Sequence, residues 1–222
     1  MKYVKTLGLG AIAAAALMAF VGASTASATV LCSVQPTEGS PATKGTVCPA
    51  NFAYLAGTEI HATAEEHIVL TTGSEFTEIT CKHGTLLGDT ENEGSATETV
   101  KIKVTKTTWE ECSTPNGSCT VTTLKPGVLE VHWIADTYNG TLTANGKEIT
   151  TSCNSIFGNI HCIFKFESED LGTITGGNPA TIDKESTPIN TVPTSSLCPA
   201  GPTVDGKFEI TTPKPLYVAS HT

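Results

Sequence analysis

The stretch Thr97 to Lys106, TETVKIKVTK, alternates from Val100 onward: Val100, Ile102 and Val104 fall on one side, Lys101, Lys103 and Thr105 on the other. Side chains in an extended chain change face at every residue, so this run reads as a strand with one face in a core and one in water. A helix would need apolar residues three and four apart, and no such pattern follows the N-terminal leader. The alternation recurs in both directions. VLEVHWIA (128–135) turns Leu129, Val131 and Trp133 inward and Glu130 and His132 outward. CIFKFE (162–167) sets Cys162, Phe164 and Phe166 on one face, and KFEIT (207–211) does so with Phe208 and Ile210. Shorter candidates are TEIHAT, HIVLTT, FTEITC, GTLLG, CTVTTL, GTLTA, KEITTSC and LGTITG.

Between these runs stand turn residues: Asn116-Gly117, Asn139-Gly140, Asn145-Gly146 and Gly176-Gly177-Asn178-Pro179. Many short strands with turn signals at close intervals predict an all-β fold, an antiparallel β-sandwich or a barrel. Residues 29–222 are expected to form a single domain, with 29–57 as an irregular disulfide-stapled lead-in and 186–205 as a long Pro/Ser/Thr loop.

The leader itself is MKYVKTLGLGAIAAAALMAFVGASTASA, residues 1–28. Lys2 and Lys5 precede an apolar run that ends in the small residues Ala26-Ser27-Ala28, the order of a secretory signal peptide cleaved after Ala28. The apolar run falls short of a membrane span, and Leu31 argues against a lipid anchor on Cys32. The expected location is therefore secreted or in the cell envelope, with no membrane insertion after cleavage.

The formal net charge is −9, and losing Lys2 and Lys5 makes the mature chain more acidic still. No arginine occurs and the lysines are scattered, which excludes nucleic acid as an expected partner. All eight cysteines lie beyond the leader: Cys32, Cys48, Cys81, Cys112, Cys119, Cys153, Cys162 and Cys198. An even number in an exported chain predicts four disulfides rather than zinc, since no Cys-x-x-Cys pair exists. The expected pairing is Cys112–Cys119 and Cys153–Cys162 across turn-rich segments, Cys32–Cys48 in the lead-in, and Cys81–Cys198 as the long-range bridge.

Three segments, ASATVLC (26–32), LGTITGGNPATID (171–183) and PLYV (215–218), are similar to a group of uncharacterised exported proteins of soil actinobacteria of the Thermoleophilia type. The resemblance implies export and carries over no functional residue.

Four constellations bear on chemistry. In GDTENEGSATE (88–98), Asp89, Glu91 and Glu93 followed by Gly94 match the front half of a calcium loop. The twelfth position is Val100 rather than a closing glutamate, so the expectation is a solvated turn, with a weak calcium site as the alternative. His61, His67, His83, His132 and His161 show no spacing that aims two rings at one ion. Glu110 and Glu111 beside Trp109 suggest a glycosidase pair, but neighbours on a strand point to opposite faces, so a solvated strand end is expected there. No Gly-x-Ser-x-Gly elbow or other nucleophile context is present.

Trp109 and Tyr138, both beside turns, are the aromatics expected to be exposed and to serve as ligand-binding residues, whereas Trp133 is expected in the core. The resulting expectation is an exported, non-catalytic structural or recognition protein without a cofactor. The alternative is an extracellular carbohydrate-binding or carbohydrate-active protein whose partners are cell-wall or extracellular glycans.

Overall fold

A computed structural model describes residues 28–38, 46–71, 78–155, 158–188, 190–192, 198 and 201–221. The signal peptide expected over 1–28 lies, except for Ala28, outside the described residues. The N-terminal part holds β1 (Val30–Cys32), β2 (Thr37–Glu38), β3 (Thr46–Val47), a 3-10 turn (Ala50–Phe52), β4 (Glu59–Ala64) and β5 (Ile68–Thr71). The middle holds β6 (Ile79–Thr90), β7 (Val100–Thr114), β8 (Gly117–Lys125), β9 (Val128–Trp133) and β10 (Gly140–Ser155). The remainder holds β11 (Gly158–Thr175), β12 (Ala180–Pro188), β13 (Asn190–Val192), β14 (Thr203–Thr212) and β15 (Tyr217–Ala219). Among the described residues no helix is long and apolar enough to cross a membrane.

Every strand-to-strand pairing is antiparallel, and the ladder of the main sheet closes on itself. Around the ring run β6, β7, then β8 and β9 sharing one position, β10, β11, β12, β14, and β4 and β5 sharing the last. A ring of this size encloses an interior just wide enough for side chains or one small ligand. A single core is built from inward residues of the whole ring, with Phe164, Leu129, Val131, Val100 and Ile210 among its most deeply buried members. Outside the ring, β1 pairs β15 and β2 pairs β3. The described residues of this lead-in pack around a second small apolar cluster of Val30, Cys32, Cys48 and Ala219.

The alternation in TETVKIKVTK holds: Val100, Ile102 and Val104 are buried. Trp133 differs from Leu129 and Val131 in being only half-buried, because its Nε1 must reach the carbonyl oxygen of Thr137 at 2.9 Å. GTLTA and KEITTSC are one strand, β10, and CIFKFE and LGTITG are one strand, β11, rather than two each. Asn145-Gly146, expected as a turn between strands, is instead a bulge inside β10, where Gly146 has φ +70° and the register with β11 shifts. The 186–205 segment likewise gives strand to β12, β13 and β14, while 193–197 lies outside the described residues.

Four disulfides form, but only Cys32–Cys48 matches the expected pairing; the others are Cys81–Cys112, Cys119–Cys153 and Cys162–Cys198. Cys112–Cys119 does not form although the β7–β8 hairpin carries both. Its ladder stops at Ser113–Ser118 and the strands diverge, while Cys81 lies directly opposite Cys112 and Cys153 opposite Cys119. Cys153–Cys162 fails on register. Cys153 faces Ile160 and Cys162 faces Thr151, a diagonal of about 7–8 Å where a disulfide needs Cβ atoms about 3.8 Å apart. Cys81–Cys198 is thereby excluded, and Cys198 bonds Cys162 with Cα atoms 5.6 Å apart.

Candidate functional site

Two bulges decide what enters the ring interior. On β7, Leu87 pairs with Lys106 but Gly88 with Val104, so Thr105 is an extra residue. One extra residue reverses the faces along the run that follows, here as far as Trp109; Glu111, at φ +51°, interrupts the alternation again and Cys112 is buried. The inward set passes from Val100, Ile102 and Val104 to Thr107 and Trp109, which line the interior. On β10 the Asn145-Gly146 bulge does the same: Leu142 and Ala144 are inward before it, Lys147, Ile149, Thr151 and Cys153 after it. Without it Glu148 would face inward. Instead Glu148 holds Lys125 at 2.8 Å and Lys165 at 3.6 Å outside, and Lys147 is 5 % exposed.

Lys147 lines an apolar cavity of about 70 Å³. Its walls include Ile68, Leu86, Trp109, Phe166, Ile182 and Phe208. The Lys147 Nζ lies 5.5 Å from the centre of the Trp109 ring and 6.0 Å from that of Phe166. Its hydrogen-bond partner is Thr107 Oγ1 at 3.4 Å, and no carboxylate pairs with it among the described residues. Burial pushes the amine down to about 8, because removing water penalises the charged form. Lys184 and Asp205 also line the cavity.

The wall beside this cavity is incomplete. β7 pairs β9 only up to Lys103 and β8 only from Ser113, so the edge of β7 between them has no ladder on that side. Pro126-Gly127, with Gly127 at φ +73°, breaks the chain between β8 and β9. The resulting seam is lined by Thr105, Thr108, Val121, Thr123 and Pro126, with Trp109 across it. Trp109 Nε1 spans the seam to Thr123 Oγ1 at 3.4 Å, and the same ring walls the main cavity and a smaller one lined by Leu70, Ile79 and Ile149. Trp109 thus separates the outside groove from the interior.

Trp109 is therefore half-buried rather than exposed, and so is Tyr138, which lies in the β9–β10 loop. Tyr138 packs edge-on against Tyr217 at 6.3 Å and its carbonyl accepts the Val218 N–H at 3.0 Å, which ties β15 to the β9–β10 loop. Glu110 and Glu111 both point to solvent within β7, which continues to Thr114 instead of ending at them. Glu111 adopts φ +51° and binds Lys82 at 2.7 Å, which holds its carboxyl below the usual carboxylate range.

Asp89, Glu91 and Glu93 do not converge: among the described residues no three His, Cys, Asp or Glu side chains come together as a metal group. Asp89 belongs to β6, opposite Glu59 and Lys103, and the following turn is organised by Asn92, which bonds the Lys101 N–H and the Thr99 carbonyl. Gly94 (φ +77°) packs so closely on the Thr29 carbonyl that a Cβ would sit 1.8 Å from its oxygen. At 10 mM calcium the melting temperature is expected to move by less than about 1 °C, as for a cation that binds neither state. A rise of several degrees that magnesium does not reproduce, and that Glu91→Gln with Glu93→Gln removes, would restore the calcium site.

Lys147, Thr107 and Phe166 were not among the residues expected to form a site. The available signal was the two-residue spacing of Lys147, Ile149, Thr151 and Cys153 directly after an Asn-Gly pair. Comparison with protein-family models, with curated proteins and with solved structures gave no match.

Proposed function

We propose that this is an exported, non-catalytic recognition protein that takes a small, mainly apolar molecule into the ring interior, with the molecule's polar end at Lys147. The observation that carries the reading is the cavity itself: an apolar pocket with one buried amine, a hydroxyl and two aromatic faces. Binding pockets characteristically combine apolar walls with a few placed polar groups. The leader and the four disulfides support export. The carbohydrate alternative centred on Trp109 and Tyr138 as exposed aromatics, and both are half-buried, one in β7 and one in the β9–β10 loop.

The test follows Trp109 emission in a Trp133→Phe background while hexanol or hexanoate is added. Both are expected to give saturable changes, with hexanoate favoured by the charge on Lys147. A response that stays linear with both compounds would overturn the reading. A saturable response to soluble glycan fragments, with none to hexanol, would favour the carbohydrate alternative instead.

A further inference from the structure

We propose that Lys147 captures small apolar aldehydes inside the ring as an imine, so that the pocket selects carbonyl compounds covalently. The inference rests on the same cavity being a ligand site and names its ligand class. Three geometric facts carry it. Lys147 lines an apolar cavity together with Thr107, Trp109 and Phe166, the three residues that its Nζ faces, so a carbonyl compound held there lies beside the nitrogen. No described carboxylate holds the amine as an ion pair, and its polar neighbour is the Thr107 hydroxyl at 3.4 Å. The faces of Trp109 and Phe166, at 5.5 and 6.0 Å, favour a cation there, whether ammonium or the protonated imine that would replace it.

The step balances without a co-reactant. The neutral Nζ donates its lone pair to the carbonyl carbon and a C–N bond forms. The two protons that Nζ gives up pass to the former carbonyl oxygen, which leaves as water as the C=N bond closes. Thr107 Oγ1 is placed to relay a proton between nitrogen and oxygen. Apolar walls keep bulk water from reversing the condensation. The lowered proton affinity of the buried amine supports this: with a value of about 8, roughly a tenth of Lys147 is neutral at pH 7, against about 0.03 % for an ordinary lysine.

The experiment treats the purified, disulfide-intact protein with hexanal and sodium cyanoborohydride at pH 7 and reads intact mass and peptide maps. One hexyl group is expected at Lys147, forming about tenfold faster than the average over the other lysines of the chain. Lys147→Met should remove this fast phase, and excess hexanol should slow it in the unmodified protein, which needs no variant. Surface lysines labelling while Lys147 stays free, with hexanol still giving its saturable Trp109 response, would overturn the aldehyde inference and leave the cavity reading standing. No labelling at Lys147 together with no hexanol response would overturn both.

Discussion

Replacing Cys119 and Cys153 together by alanine is expected to lower the unfolding free energy by about 4 kcal/mol, the chain-entropy value for a loop of this span. The bridge joins β8 to β10 and encloses 34 residues of sequence separation. Since native domains are stable by only about 5–15 kcal/mol, the loss would be a large part of the whole. Denaturant unfolding without reductant measures it. The same experiment separates the observed pairing from the hairpin pairing. The Cys119→Ala, Cys153→Ala protein should show no free thiol under denaturing conditions. Cys112→Ala with Cys119→Ala should show two, at Cys81 and Cys153, because these stand on strands three spacings, about 14 Å, apart and cannot reach each other. The opposite thiol counts would show that Cys112 and Cys119 are partners after all.

Lys147→Met is expected to stabilise the protein at neutral pH and to flatten its pH dependence. Burial lowers the amine from its ordinary 10.5 to about 8. Below pH 8 it is charged in both states, and the native state bears the full cost of a buried cation. Between about 8 and 10.5 the native protein releases the proton while the unfolded chain keeps it, so stability rises with pH. Above 10.5 both forms are neutral and the cost is gone. The separation amounts to about 3 kcal/mol. The ring faces of Trp109 and Phe166 offset about 1 kcal/mol of the desolvation cost. Methionine fills the same volume with no charge, so at pH 7 the variant should melt several degrees higher and the two proteins should converge near pH 10.5. Parallel stability curves across this range would mean that Lys147 reaches water in the folded state.

The two expectations share a cause, which is how the strands are registered. Period-two alternation depends only on the extended backbone, so VKIKV, VLEV and IFKF announced strands and their buried faces without reference to anything distant. An even set of cysteines and the Asn-Gly and Gly-Gly pairs are equally local, and they were enough for an antiparallel, disulfide-bonded all-β chain. The site was less legible. Trp109 was singled out, but for a place on the surface, because it stands close to the turn at Cys112; an unbroken alternation from Val100, Ile102 and Val104 would likewise face it outward. Thr105 breaks it. Lys147 was passed over because Asn145-Gly146 reads equally well as a hairpin turn or as a bulge, and a lysine after a turn is ordinarily at the surface.

By itself, then, the sequence determined the strand content, the inward faces within each unbroken run, and the presence of the disulfides. Only the tertiary structure decided that the ladder closes between β10 and β11, which cysteines share a rung, and that Lys147 rather than Glu148 enters the interior. The physical reason is that pairing across strands is a long-range choice. A bulge displaces the register by one residue, and whether one forms depends on the partner strand, where Phe166 comes to lie opposite Lys147.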